Sequence, residues 1–179
     1  TGVILGITTG GITATEVYLE SLLKTGESDI DLMRFHECST SASTVANELD
    51  LFGVQSTISN ACSSGSNAIA LARDYIQSGE ADIVLAGGVD SLSRLTINGF
   101  NSLLVYDAKG CRPFDTRRAG MTLGEGAGIL VLETEIHARA RDAKIYARIA
   151  GYASPCDAYH ATAPLPDGAG ILKSMHLAL

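Results

Sequence analysis

The stretch that most constrains this chain is Gln55–Gly88. Gln55–Asn60 reads as a strand that runs straight into Ala61-Cys62-Ser63-Ser64-Gly65. Ser66–Gln77 then carries Ala68, Ile69, Ala70, Leu71 and Ala72, which cover every side of a helix and so predict a buried one. Asp82–Gly88 (DIVLAGG) reads as a fully buried strand. A strand, a helix and a strand in this order imply a parallel pair joined by a crossover. The composition agrees: 46% apolar and 18% charged residues in 179, with 19 glycines and no tryptophan. That predicts a sizeable core of small aliphatic side chains in a layered α/β protein, and argues against disorder.

The flanking segments extend the pattern. Gly2–Ile7 is a short buried strand, Thr13–Thr25 a helix stopped by Gly26, and Ser43–Leu51 a second helix with Val45, Ala46 and Leu49 on one face. Asn98–Pro113 reads as loop, Gly126–Glu133 as an apolar strand and Thr134–Arg141 as a polar helix. Lys144–Tyr152 alternates Ile145, Ala147 and Ile149 with Tyr146 and Arg148, the period of a half-exposed strand. Asp157–Asp167 is irregular, and a helix begins at Gly168.

Charge and motif content exclude several classes. With 13 Lys+Arg against 20 Asp+Glu, nucleic acid is not the expected partner. No apolar run approaches the roughly 20 residues that span a bilayer, so no membrane association is expected. The start, TGVILGITTGG, has neither the methionine nor the basic segment of a signal peptide, and is expected to be internal to a longer chain. Cys38, Cys62, Cys111 and Cys156 include no CxxC, which leaves neither a zinc site nor a disulfide framework. Four reduced thiols in a cytoplasmic protein are the expectation.

Three stretches carry chemistry. Cys62 sits where a strand turns into a helix, at the positive end of the helix dipole and among free backbone N–H groups. That setting stabilises negative charge on sulfur and suits a nucleophile, but an ordinary packed cysteine fits the same spacing. Arg112-Pro113-Phe114-Asp115 leads to Gly124-Glu125-Gly126-Ala127-Gly128. This run precedes a strand instead of following one, so it is not a phosphate loop, and its glycines are expected to serve tight packing or positive φ. Glu125 is either a buried acid holding loops or an exposed one. Asp157-Ala158-Tyr159-His160-Ala161-Thr162 is a polar cluster, in which Asp157 and His160 either serve a site or satisfy their own turn. His36, His137 and His176 lie in segments with no supporting pattern, and no GxSxG is present.

Taken in order, NACSSGSNAIALA, DIVLAGGVDS, RPFDTRRAGMTLGEGAGILVLE and DAYHATAPLPDGAG closely resemble the β-ketoacyl-acyl-carrier-protein synthases, the condensing enzymes built on the thiolase fold. The resemblance covers nearly the whole chain. It implies that Cys62 accepts an acyl group as a thioester, with its own N–H as one oxyanion donor. It implies that Thr162 lies near the pantetheine arm, that Phe100 and Thr9 line or close the acyl-chain pocket, and that Gln55–Asn60 pairs across a homodimer. The family's two further histidines, in His-Gly-Thr-x-Thr and Lys-x-x-x-Gly-His strings, and its Gly-Phe-Gly segment are not in these residues.

The implied fold is α/β, a layered α-β-α-β-α architecture whose mixed sheet has helices on both faces, incomplete in this chain. Residues 1–143 correspond to an N-terminal half without its first strand, expected to lie between Gly2–Ile7 and Asp82–Gly88, and 144–179 to the start of a C-terminal half. The implied activity is that of a 3-oxoacyl-[acyl-carrier-protein] synthase: decarboxylating Claisen condensation of an acyl thioester with malonyl-carrier in fatty-acid biosynthesis. No cofactor or metal is implied, since the phosphopantetheine belongs to the acyl carrier protein. Other readings are a polyketide ketosynthase, an acyl-transferring homologue, and a non-catalytic acyl-binding or interaction protein.

Overall fold

The computed structural model describes residues 1–179. Its centre is a four-stranded mixed sheet of β1 (Gly2–Gly6), β2 (Gln55–Ile58), β3 (Ile83–Asp90) and β4 (Gly126–Glu133), in the order β2-β1-β3-β4. β1 runs parallel to both β2 and β3, and β4 runs antiparallel to β3. The helices are α1 (Ile12–Thr25), α2 (Thr40–Glu48), α3 (Ser64–Gln77), α4 (Arg94–Ser102), α5 (Glu135–Ala140) and α6 (Ala169–Ala178).

β1 takes the middle because it is buried along its whole length, whereas β2, exposed or half-buried throughout, takes the edge. Alternation along β1 then sets the layers. Ile4 packs with Ala68 and Ala72 of α3 and with Val84 and Ala86 of β3. Val3 and Leu5 point the other way, onto Ala42 and Ala46 of α2. The sheet therefore has helices on both faces, as expected, and the chain supplies an α-β-α sandwich.

Local rules fix the element ends. Gly26 closes α1 in a left-handed conformation, φ 78°, and its N–H donates to Leu22 O at 2.9 Å. Thr134 caps α5 by accepting from the His137 N–H at 3.2 Å.

Several expectations are corrected. β2 and β3 are parallel but not adjacent, because β1 lies between them. For the same reason no absent strand separates Gly2–Ile7 from Asp82–Gly88: Val3 stands opposite Leu85, and the two strands pair directly. The stretch read as loop from Asn98 opens inside α4. Thr96, Ile97, Asn98 and Gly99 are poor helix formers, and the helix is held from outside instead. Ser93 accepts from the Thr96 N–H at 3.1 Å, and Glu16 of α1 accepts from the N–H groups of Arg94 and Leu95 at 3.1 and 2.7 Å.

Lys144–Tyr152 forms no strand, since no neighbouring strand is present to pair with it. Gly124, Gly126 and Gly128 have open space around them and no positive φ. The core is small, with 19 buried residues, because Ile129, Leu130 and Val131 of β4 and Leu23 of α1 remain uncovered.

Candidate active site

Four small residues bring α3 down onto the sheet. A Cβ added at Gly6 would fall 2.2 Å from the Ser64 carbonyl carbon, and one at Gly65 would fall 3.4 Å from Gly88 Cα. Only backbone fits between the start of α3 and the ends of β1 and β3. Cys62 therefore lies directly above the carboxyl ends of the parallel strands, where ligands bind in open α/β sheets.

The helix begins at Ser64, two residues nearer Cys62 than the sequence pattern places it, after a single 3₁₀ turn over Ala61–Ser63. Ala61, immediately before the cysteine, has φ 58°. A left-handed alanine costs roughly 1–2 kcal/mol, and Ser64 holds it in place. The Ser64 hydroxyl, 3% exposed, donates to Ala61 O at 2.6 Å and accepts from the Asn60 N–H at 2.9 Å. Ser63 Oγ donates to Asn60 O at 3.1 Å. The turn is fixed while the thiol it carries is exposed. Fixed backbone, exposed sulfur and a following helix N-terminus suit a nucleophile better than a packing cysteine. Sequence reading passed over Ser64; its signal was a small polar residue two places after the cysteine, where a hydroxyl can bond back to the turn.

Thr9 follows β1, Cys62 follows β2, and Phe100, on α4, follows β3. Thr9 and Cys62 thus both leave the carboxyl ends of parallel strands, while Phe100 is the seventh residue of α4, beyond the end of β3. Thr9 is held by Asp90, the last residue of β3, whose carboxylate accepts from the Thr9 N–H at 3.1 Å and its hydroxyl at 2.9 Å. Asp90 is the second residue that sequence reading left without a role. The signal was an acid closing a buried apolar strand, where an unpaired charge is costly.

Thr162 is not brought to these strand ends by any hydrogen bond. Its N–H and that of Ala163 each donate to His160 Nδ1 at 3.1 Å, and Asp157 accepts from the Leu165 N–H at the same distance. His160 and Asp157 accept hydrogen bonds within their own turn.

Several charged groups outside this region have partners. Arg112 donates to buried Asp107 at 2.7 Å, and that contact holds the Asp107 carboxyl below its ordinary range. Exposed Glu125 accepts from the Leu92 N–H at 3.2 Å and ties the start of α4 to β4. His137 on α5 meets Glu133, the last residue of β4, at 2.6 Å, and His36 Nδ1 meets the Thr15 hydroxyl at 2.8 Å. No three His, Cys, Asp or Glu side chains gather as a metal site would require.

Comparison with known proteins places this geometry. The family model described as "Beta-ketoacyl synthase, N-terminal domain" matches residues 1–138. The 3-oxoacyl-[acyl-carrier-protein] synthase 2 of Rhizobium meliloti is 43% identical over 137 residues, covering 72% of this chain and 32% of its own. Nodulation protein E of Rhizobium meliloti is 40% identical over 169 residues, covering 93% of this chain and 42% of its own. Among solved structures, a chain of a type II polyketide synthase acyl-carrier protein in complex with its ketosynthase, bound to the hexaketide, superposes with a TM-score of 0.91. It is 32% identical, over 99% of this chain and 47% of that one. The chain thus spans less than half the length of these relatives. On sequence and fold together, it belongs to the beta-ketoacyl synthase family.

Proposed function

We propose that the full-length protein is a 3-oxoacyl-[acyl-carrier-protein] synthase with Cys62 as its nucleophile. The observation that carries this reading is the exposed Cys62 thiol on a fixed turn between β2 and α3, in a chain of this family. Cys62 Sγ attacks the carbonyl of an acyl thioester, the carrier's pantetheine thiol leaves, and the acyl group stays on sulfur. Backbone N–H groups at the start of α3 supply part of the charge stabilisation. Malonyl-carrier then loses carbon dioxide, the resulting carbanion attacks the acyl carbon, and β-ketoacyl-carrier departs with Cys62 restored. The decarboxylation draws on two histidines of the full-length protein, and the phosphopantetheine comes with the carrier.

Phe100 and Thr9 line the acyl pocket in this reading, and Thr162 approaches the pantetheine arm. The partner is an acyl carrier protein, as in the polyketide complex whose fold this chain shares. β2 closes one end of the sheet with its outer edge unpaired, which supports a homodimer joined there. A second reading, polyketide extension, is favoured by the same structural similarity.

The test uses full-length protein with acyl-carrier and then malonyl-carrier, followed by mass spectrometry of tryptic peptides. The expected result is an acyl adduct on the peptide bearing Cys62, lost in Cys62→Ala, then one β-ketoacyl product. Repeated extension without reduction would select the polyketide reading. Adduct on Cys38, Cys111 or Cys156, or no transfer at all, would remove the assignment.

A further inference from the structure

The β1–α1 loop, Thr8-Thr9-Gly10-Gly11, is held from both sides. On one side stands Asp90. Its Oδ1 accepts from the N–H of Thr8 at 3.0 Å, the N–H of Thr9 at 3.1 Å and the Thr9 hydroxyl at 2.9 Å, and its Oδ2 accepts from the Thr8 hydroxyl at 2.6 Å. The last ladder pair between β1 and β3 is Gly6 opposite Gly88, so the Asp90 side chain continues the tie where the backbone ladder stops.

On the other side is the segment Phe35–Cys38. A Cβ at Gly11 would fall 1.9 Å from Phe35 O, and one at Gly10, already at φ 56°, would fall 2.8 Å from His36 O. The loop therefore cannot retreat from Asp90. Burial pushes the Asp90 carboxyl up, but the hydrogen bonds from Thr8 and Thr9 outweigh it and hold the group below its ordinary range. An ionised acceptor makes each contact charge-assisted and stronger than a neutral one.

Asp90 also leads into the other wall of the same region. The chain passes through Ser91 and Leu92, whose carbonyl accepts from the Thr13 hydroxyl at 3.3 Å, and enters α4, which bears Phe100. One side chain thus ties Thr9 to the segment that leads into the helix of Phe100.

We propose that Asp90 is a positioning residue that sets acyl-chain preference by holding Thr9 against the α4 side of the Cys62 edge. The proposal rests on the reading above, in which Thr9 and Phe100 line the acyl pocket. Asp90 touches no reacting atom and acts through Thr9. A wall held by four hydrogen bonds discriminates between chain lengths; a loosened wall accommodates them more evenly.

The experiment measures kcat and KM for acylation of Cys62 in the full-length protein, with saturated acyl-carriers from short to long. Asp90→Asn keeps the size but removes the charge and puts an NH2 donor where one acceptor oxygen stood, so the contacts to Thr8 and Thr9 lose their charge assistance. The ratio of kcat/KM between the best and worst chain lengths is expected to fall about fivefold to tenfold, mostly through KM. That is modest beside the roughly 10–200-fold that one methylene commands in an apolar pocket. Asp90→Glu restores the charge and is expected to recover most of the ratio. Thr8→Val removes the 2.6 Å hydroxyl contact from the other partner without altering Thr9, and carries the test if Asp90→Asn fails to fold. An unchanged ratio in either variant, or an equal loss at every chain length, overturns the role of Asp90 while leaving Cys62 in place. Failure of the wild type to acylate Cys62 with any chain overturns the functional reading, and this proposal with it.

Discussion

Val3-Ile4-Leu5 and Ile145-Tyr146-Ala147 are both short β-prone stretches, and they end in opposite states. Val3 and Ile4 are 0% exposed at the centre of the sheet; Ile145 is 46% and Tyr146 85% exposed. β1 has a strand on either side and a helix on either face, so its backbone groups pair and its side chains find partners. Lys144–Tyr152 has neither. It is fixed at a few side-chain points: Arg148 meets Glu135, Arg73 donates to Ala150 O at 3.2 Å, and the Tyr152 hydroxyl donates to Asp74. Alternation specifies which face a residue takes once a sheet exists. It does not supply the neighbour that makes the segment a strand.

The largest effect that can test this contrast is at Gly6. In Gly6→Val the new Cβ meets the backbone of Ser64, which no side-chain rotation can relieve. α3 would have to rise off the sheet, at a cost of about 4 kcal/mol or more. Urea unfolding should show the variant unfolded, or without a cooperative transition. A wild-type midpoint would mean that the helix start is not seated as tightly as the close approach requires.

Next comes a matched pair in the 179-residue chain. Ile4→Ala removes a fully buried side chain and is expected to cost about 2–5 kcal/mol. Ile145→Ala should stay within about 0.5 kcal/mol, as exposed substitutions do. Equal losses in denaturant midpoint would erase the distinction between the two regions. A cost at Ile145 that appears only in the full-length protein would sharpen it, showing that other residues complete the missing neighbour.

The same distinction explains what could be read in advance. The strands and helices of Gly2–Gln77 follow from apolar period and glycine stops, because those elements satisfy one another within the chain, although α2 runs Thr40–Glu48 instead of Ser43–Leu51 and packs Ala42 and Ala46 while Leu49 stays exposed. Sheet order did not follow, since parallel strands leave no local trace of which neighbour each one takes. α4 was hidden because its N-terminus is completed by Glu16, 78 residues upstream of Arg94. At the site, Cys62 was legible as a cysteine between strand and helix. Ser64 and Asp90 carried only a faint local signal, because each acts through hydrogen bonds to backbone and hydroxyl groups whose positions the fold sets.

A smaller effect tests whether the Cys62 turn belongs to the rigid region. Ser64→Ala leaves the Asn60 N–H and Ala61 carbonyl without their buried partner, at about 1–3 kcal/mol. Freed from the staple, Ala61 can leave its positive φ. The alkylation rate of Cys62 should therefore change by more than that of exposed Cys111 in the same sample. Parallel changes at both cysteines would mean only a general loosening.

The smallest expected effect lies at the junction of the two regions, on α5. Arg141 and His137 hold the Glu133 carboxyl down to about 2 from an ordinary 4.5, and Glu135, paired with Arg139 and Arg148, is also lowered. A carboxyl whose folded value is depressed favours the folded state fully above its ordinary value. That contribution shrinks as pH falls below 4.5 and is gone once pH passes below about 2. These pairs are partly exposed and screened, so the gain is modest and weakens with salt. Through Arg148 the network is also one of the few ties between residues 1–143 and the segment after it. Hydrogen exchange followed by peptide mass spectrometry should show amides of residues 133–152 losing protection between about pH 4.5 and 2, while those of β1 hold. Intrinsic exchange slows across that range, so protection is referenced to the unfolded peptide at each pH. Glu133→Gln should flatten this dependence. A β1 that opens together with residues 133–152 would show that the two regions share one cooperative unit, and that exposure at Ile145 does not make its segment separable.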